Sequence, residues 1–209
     1  MKSTYSPSDA WDAFESKNYQ LAEQIWLKLM ASVADPDTQC SYQLAYASVL
    51  IAQKRFHEAG DLLAELFEIT GNSLCLHQLG YIAREEGKLD VAKGHFLAEQ
   101  ACLCEEELEA HAANACELGL ISLRQNRARM AVSYTELSLE YARQTDAPML
   151  ECCALRLLGD IRRELGEDEA AQDCYLAFAE IAPGLELDKR PQQLGHRLFQ
   201  LLPLLERSD

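Results

Sequence analysis

Small, large and polar residues recur along the chain in a fixed order. Small residues spaced 33 to 40 positions apart mark its units: Ala10, Ala47, Gly80, Gly119 and Gly159. Alanine follows each of them after twelve residues, at Ala22, Ala59, Ala92, Ala131 and Ala171. Because a small residue on each of two helices lets them cross closely, every unit predicts a pair of packed helices.

Large side chains and polar turns complete each unit. Large residues follow the alanine after four positions at Trp26, Leu63, Phe96 and Tyr175, with Thr135 as the exception. Polar pairs typical of short turns separate the two halves of the units: Lys17-Asn18, Lys54-Arg55, Gly87-Lys88, Asn126-Arg127 and Gly166-Glu167. We therefore predict an all-α chain whose helical hairpins span about residues 8–35, 38–70, 73–104, 106–145 and 147–183 of a single domain over 1–209.

The third and fifth units resemble the tetratricopeptide repeat (TPR) family. Leu79-Gly80, Ala92 and Phe96 match its signature, and the fifth unit repeats the match and adds Pro183. The spacing of the later units is similar to the long-helix variant of the family, with about 40 residues per repeat. The resemblance implies a right-handed α-solenoid of about five TPR-like hairpins.

A further amphipathic segment follows the last unit. Leu194, Leu198 and Leu205 recur at helical spacing after Pro191. Because the last unit of a solenoid needs a cover over its apolar face, we predict a capping helix over about residues 191–206. Docking of a partner or dimerisation, with Leu198 and Phe199 in contact, is the alternative interpretation.

Charge and composition limit the classes of partner. The chain carries 34 acidic and 19 basic residues, a net charge of −15, which opposes binding to nucleic acid or to anionic lipid. The first eleven residues lack the apolar run of a secretory signal, and no apolar stretch is long enough to span a membrane. We expect a cytoplasmic protein that binds neither nucleic acid nor membrane and keeps its eight cysteines as free thiols.

The TPR resemblance also implies where a ligand binds. In such superhelices, the first helix of each hairpin lines the concave groove, so positions three before and one, four or five after the small residue face a ligand. These positions are His77, Tyr81, Arg84, Leu120, Arg124, Arg156, Asp160 and Arg163. Four arginines in this set favour an acidic peptide, bound through forked hydrogen bonds. In the alternative interpretation they are solvated and pair with Glu85, Asp160 or Glu164.

Two aromatic residues lie in the first unit, whose leading helix has no preceding repeat to cover it. Trp11 and Phe14 are therefore candidate contacts for a partner or for a homodimer. Packing onto Trp26 and Tyr19 as part of the core is an equally good alternative.

The sequence contains no motif that is typical of a catalytic site or of a metal site. Cys102, Cys104 and the Cys152-Cys153 pair lack the spacing of zinc knuckles. The histidines lie in different units with no recognisable loop motif, and the glycines form no phosphate-binding loop. We expect no cofactor, no metal and no enzymatic activity.

These observations predict a non-enzymatic adaptor or chaperone that holds a segment of another protein in the concave groove. A peptide-responsive regulatory protein and a structural homo-oligomer joined through its terminal helices are the alternatives.

Overall fold

The computed structural model describes residues 5–145 and 147–184, and all of the longer elements in that part are α-helices. They are α1 (Pro7–Glu15), α2 (Tyr19–Ser32), α3 (Pro36–Ala52), α4 (Phe56–Thr70), α5 (Ser73–Glu85), α6 (Leu89–Cys102), α7 (Leu108–Arg124), α8 (Ala128–Gln144), α9 (Pro148–Glu164) and α10 (Asp168–Ile181), followed by a 3-10 turn (Ala182–Gly184). The predicted all-α class is confirmed over these residues. The segment 191–206, where we predict a capping helix, lies outside them.

Short turns join the two helices of each hairpin at the predicted positions. The first residue of every predicted polar pair has a left-handed backbone, with φ between 58° and 76°: Lys17, Lys54, Gly87, Asn126 and Gly166. After each of these turns the chain enters the second helix of the pair. Glycine and asparagine adopt this conformation at little cost, and this preference makes three of the five turns recognisable from the sequence.

The recurring small residues lie where the two helices of a hairpin touch. All five twelfth-position alanines are buried. A Cβ atom built on Gly80 would come within 2.8–3.0 Å of three ring atoms of Phe96, and one on Gly119 would come within 2.5 Å of Thr135 Oγ1. Gly159 meets the ring of Tyr175 in the same way. The residue four positions after the alanine thus packs on the small residue of its own unit.

Successive hairpins stack through separate apolar clusters. The cluster of α7 to α9 is built on Cys116, Leu120, Cys153 and Leu157, whereas the buried residues of the one joining α5 and α6 to α7 are Ala83, Ala92, Phe96, Leu118 and Ile121. First helices of neighbouring units also contact each other, α3 with α5 and α7 with α9. We call the first helices α1, α3, α5, α7 and α9 together the inner layer.

No helix within residues 5–145 and 147–184 is long and apolar enough to cross a membrane.

Candidate functional site

The inner layer carries the predicted groove residues of α5, α7 and α9, but it does not expose all of them. His77 is fully buried in α5. Its Nδ1 lies 2.8 Å from Glu99 Oε2, and its ring meets Phe96 edge to face, with centroids 5.2 Å apart. His77 thus joins α5 to α6 rather than offering its imidazole to a ligand.

Glu99 extends this contact to the next unit. Asn114 Nδ2, on α7, donates to Glu99 Oε2 at 2.7 Å and to the carbonyl oxygen of Phe96 at 2.8 Å. Both Glu99 and Asn114 are buried. A carboxylate removed from water requires such donors, so the His77–Glu99–Asn114 network ties α5, α6 and α7 together.

Arg84 is also buried, with 4% of its side chain exposed. Its Nη1 lies 2.7 Å from Oε2 of the fully buried Glu117 on α7, and its Nη2 lies 3.2 Å from Glu85 Oε1. Burial alone would lower the pKa of Arg84, but the charges of Glu117 and Glu85 outweigh it and raise that pKa. Burial raises the pKa of Glu117, and the charge of Arg84 opposes that rise. This pair therefore holds two units together.

Tyr81 and Leu120 lie beside these groups. The Arg84 guanidinium carbon is 4.7 Å from the centroid of the half-buried Tyr81 ring, a cation–π contact. Burial raises the pKa of Tyr81, and the charge of Glu85 adds to that rise. Leu120 is buried in the apolar cluster of α7 to α9. Of the predicted residues on α5 and the middle of α7, only Tyr81 keeps a substantial exposed surface.

The accessible charge lies further along the inner layer. Arg124 ends α7 and is exposed, and 56% of the Arg163 side chain is exposed near the end of α9. Arg156 and Asp160 are exposed to 12% and 15%. Helices α7 and α9 occupy equivalent positions in successive units and contact each other, so Arg124 and Arg163 lie at the same end of the layer.

Tyr175 organises the charged residues of α9. Its hydroxyl donates to Asp160 Oδ1 at 2.8 Å. The guanidinium carbons of Arg156 and Arg163 lie 5.6 Å and 5.9 Å from its ring centroid, and both arginines approach Asp160 within 4 Å. Burial and the hydrogen bond to Asp160 raise the pKa of Tyr175 to about 12. The arginines thus pair with Asp160, as the alternative interpretation of the sequence proposed, while Arg163 still faces solvent.

The aromatic residues of the first unit are packed. Trp11 meets Trp26 at 5.6 Å between ring centroids, and Phe14 meets Tyr19 at 5.4 Å. Phe14 is buried and Trp11 is partly covered. Of the two interpretations of these aromatics, packing into the core describes the structure. Leu198 and Phe199, the other predicted end contacts, lie outside the described residues.

Three residues important to these networks are absent from the sequence prediction: Glu99, Asn114 and Glu117. The recognisable signal is a charged residue inside an apolar run, since Glu117 stands between Cys116 and Leu118 in a stretch that is otherwise almost uncharged. A charge in such a position is rarely buried without a partner.

No group of three or more His, Cys, Asp or Glu side chains in the described part of the chain could hold a metal ion.

Comparison with protein-family models gives no match, and a search of curated proteins gives none either. Among solved structures, the chain is similar to Bacillus thuringiensis PlcR in complex with the peptide PapR7 and DNA, with a TM-score of 0.75 and 15% identity over 91% of this chain and 72% of PlcR. BtubC from P. vanneervenii has a TM-score of 0.70 and 14% identity over 84% of this chain and 77% of its own.

A kinesin light chain protein of Podosopora anserina with nearly identical TPR-like repeats is 17% identical, with a TM-score of 0.64 over 84% of this chain and 92% of its own. Similarity at these identities establishes the fold. The chain is an α-solenoid of TPR-like helical hairpins.

Proposed function

We propose that this protein is a non-enzymatic adaptor or chaperone that binds an acidic segment of another protein on its inner layer. The observation that carries the proposal is the pair of exposed arginines, Arg124 and Arg163, at one end of the adjacent helices α7 and α9. A guanidinium offers several donors in a planar fork that matches a carboxylate, so two of them at the same end of neighbouring helices suit an acidic chain.

The surroundings of Arg163 restrict its side chain and so favour the binding of a carboxylate. The Tyr175 ring and the carboxylate of Asp160 restrict the guanidiniums of Arg156 and Arg163. Arg156 and Arg163 both lie within 4 Å of the carboxylate of Asp160. A guanidinium held in place loses less conformational entropy when it binds.

The negative charge of the whole chain restricts where an acidic partner can bind. A net charge of −15 repels an acidic partner from most of the surface. A local basic group is a place where such a partner gains energy, and binding there should weaken as salt screens the charges.

The comparison with PlcR supports a ligand of peptide size, because that structure holds the peptide PapR7. It also favours the second candidate, a peptide-responsive regulatory protein. The two functions differ in consequence, since in a regulator the bound peptide changes the curvature of the solenoid, whereas an adaptor binds with little change. Small-angle scattering with and without a bound peptide separates them.

The experiment uses two fluorescein-labelled peptides that share the same leucine and serine residues and carry either Glu or Lys at every second position. Fluorescence anisotropy measures their Kd for the full-length protein. We expect the Glu peptide to bind and its Kd to rise with salt, and the Lys peptide, which the net charge of −15 attracts without a defined site, to bind more weakly at physiological salt. A Lys peptide that binds as tightly as the Glu peptide contradicts the proposal.

Charge reversal locates the site. The variant Arg124→Glu with Arg163→Glu should bind the Glu peptide at least about tenfold more weakly, because two charge-assisted contacts are lost. The control reverses Arg127 and Arg129, which are also exposed but begin the second helix α8. Acidic residues suit a helix N-terminus, so the control should fold and bind like the wild type. Equal losses in both variants would point to a general charge effect and would refute the site.

Arg84 is unsuitable for this test, because Arg84→Glu would place a second carboxylate against the buried Glu117. A variant at that position reports folding rather than binding.

A further inference from the structure

Two of the eight cysteines differ from the others in exposure. Cys102 and Cys104 are exposed, whereas Cys40 is half-buried and the remaining five are buried. Burial raises the pKa of Cys75 to about 12 and that of Cys152 to about 11. Those buried thiols form little thiolate at neutral pH and are closed to oxidants, while solvent reaches Cys102 and Cys104.

The backbone brings the Cα atoms of these two cysteines close together. Cys102 is the last residue of α6, and Leu103, which follows it, is extended, with φ −73° and ψ 137°. At about 3.3 Å per extended residue, the Cα atoms of Cys102 and Cys104 are about 6 to 7 Å apart. Disulfides span about 4.4 to 6.8 Å between Cα atoms, so a small tightening at Leu103 allows a bond.

A disulfide formed in this way is labile. Its ring includes only Leu103 between the two cysteines, and the backbone must leave its resting geometry to close it. Strained and exposed disulfides have high reduction potentials and are readily reduced again, which is the property of a reversible pair rather than of a structural cross-link.

The pair lies next to the network that joins the third and fourth units. The Leu103 N–H donates to the carbonyl oxygen of Glu99 at 3.1 Å, and the Glu99 carboxylate holds His77 and Asn114. On the other side, the Cys104 N–H donates to Glu107 Oε2 at 2.9 Å, and the Cys104 carbonyl oxygen lies 3.0 Å from His111 Nε2. Tightening at Leu103 therefore acts on the last turn of α6 and on the first turn of α7 together.

We propose that Cys102 and Cys104 form a reversible disulfide by exchange with a small-molecule disulfide such as oxidised glutathione, and that its closure loosens the packing of α6 against α7. One cysteine thiolate attacks a sulfur of oxidised glutathione and releases one glutathione thiolate. The second cysteine thiolate then attacks the mixed disulfide and releases the other. Two cysteine thiols are oxidised, oxidised glutathione is reduced to two thiols, and the two cysteine protons pass to solvent or to the released thiolates.

The first test follows the covalent chemistry. The full-length protein is equilibrated in glutathione buffers of increasing oxidised fraction, quenched with acid and mapped by mass spectrometry. We expect one peptide, containing both Cys102 and Cys104, to become lighter by two hydrogen atoms. Cys102→Ser and Cys104→Ser should each accumulate a mixed disulfide with glutathione at the remaining thiol instead.

Three outcomes would overturn the proposal: glutathione adducts on both cysteines of the wild type without ring closure, a cross-link to Cys40 or between two chains, or no reaction at either cysteine. The variant Cys40→Ser is the matched control, and it should oxidise like the wild type.

The second test measures the structural consequence by hydrogen exchange. Oxidation should speed amide exchange in the last turn of α6 and the first turns of α7 and leave α1 and α2 unchanged. The variant Cys102→Ser should show no such response to the same buffer. Identical exchange in the oxidised and reduced wild type would refute the coupling to the junction.

Discussion

The substitution Gly80→Ala tests the close contact between helices that recurs at Gly80, Gly119 and Gly159. In an open helix, alanine is about 1 kcal/mol more favourable than glycine. At Gly80, however, the new Cβ would lie 2.8–3.0 Å from three ring atoms of Phe96, which is fully buried. Forcing an extra carbon into a packed core costs about 1–3 kcal/mol.

The control for this substitution lies in the same hairpin. Gly94 is exposed on α6, and a Cβ built there meets no atom within 4 Å. Gly94→Ala should therefore raise stability while Gly80→Ala lowers it relative to Gly94→Ala by about 1–3 kcal/mol. For a chain of this size, that difference separates the unfolding midpoints by about 2 to 12 °C.

Thermal unfolding followed by far-ultraviolet circular dichroism measures the midpoints, and urea titration gives the free energies. In a background of Phe96→Leu, which shortens the ring that obstructs the Cβ, the penalty of Gly80→Ala should shrink. If Gly80→Ala and Gly94→Ala stabilise the protein equally, the argument that the small residue is required at the helix crossing is refuted.

Further predictions concern the charged residues. Arg84→Leu leaves Glu117 unpaired in the core and should lower the free energy of unfolding by about 3–5 kcal/mol in a urea titration. The double variant Arg84→Leu with Glu117→Leu should recover most of that loss. A double variant as unstable as Arg84→Leu contradicts the pairing. In Arg84→Leu, the pKa of the buried Glu117 stays above its ordinary 4.5, so the contribution of Glu117 to stability is greatest below that value and is lost as pH rises above it. At Glu23, hydrogen bonds and the charge of Arg55 lower the carboxyl pKa although burial opposes them. The stabilising contribution of Glu23 is present above pH 4.5 and is lost on acidification. When unfolding midpoints are compared across acidic pH, the stability of Arg55→Met should therefore decline less steeply than that of the wild type.

The sequence predicts the hairpins well because their determinants are local and repeated. Gly80 and Ala92 meet through Phe96 of the same unit, and the pattern recurs at Gly159, Ala171 and Tyr175. A small residue acts through its size and needs no particular partner residue, so its position alone indicates a helix crossing.

The charged positions are less predictable because their outcome depends on a partner from another unit. Arg84 and Arg124 occupy similar positions in successive first helices, yet Arg84 is buried against Glu117 and Arg124 is exposed. The resemblance to TPR proteins places both in a groove, but it does not say that the next first helix supplies a carboxylate. His77 illustrates the same limit, since Glu99 comes from the second helix of its own unit.

Arginine side-chain NMR during titration with the Glu peptide is the most direct test of the central claim, that an acidic segment binds the inner layer. The Nε–Hε signals of Arg124, Arg156 and Arg163 should shift together and saturate with the Kd from anisotropy, while those of Arg127 and Arg129 on α8 stay in place. Shifts confined to α8, or no shift in any arginine signal at saturating peptide, would contradict it.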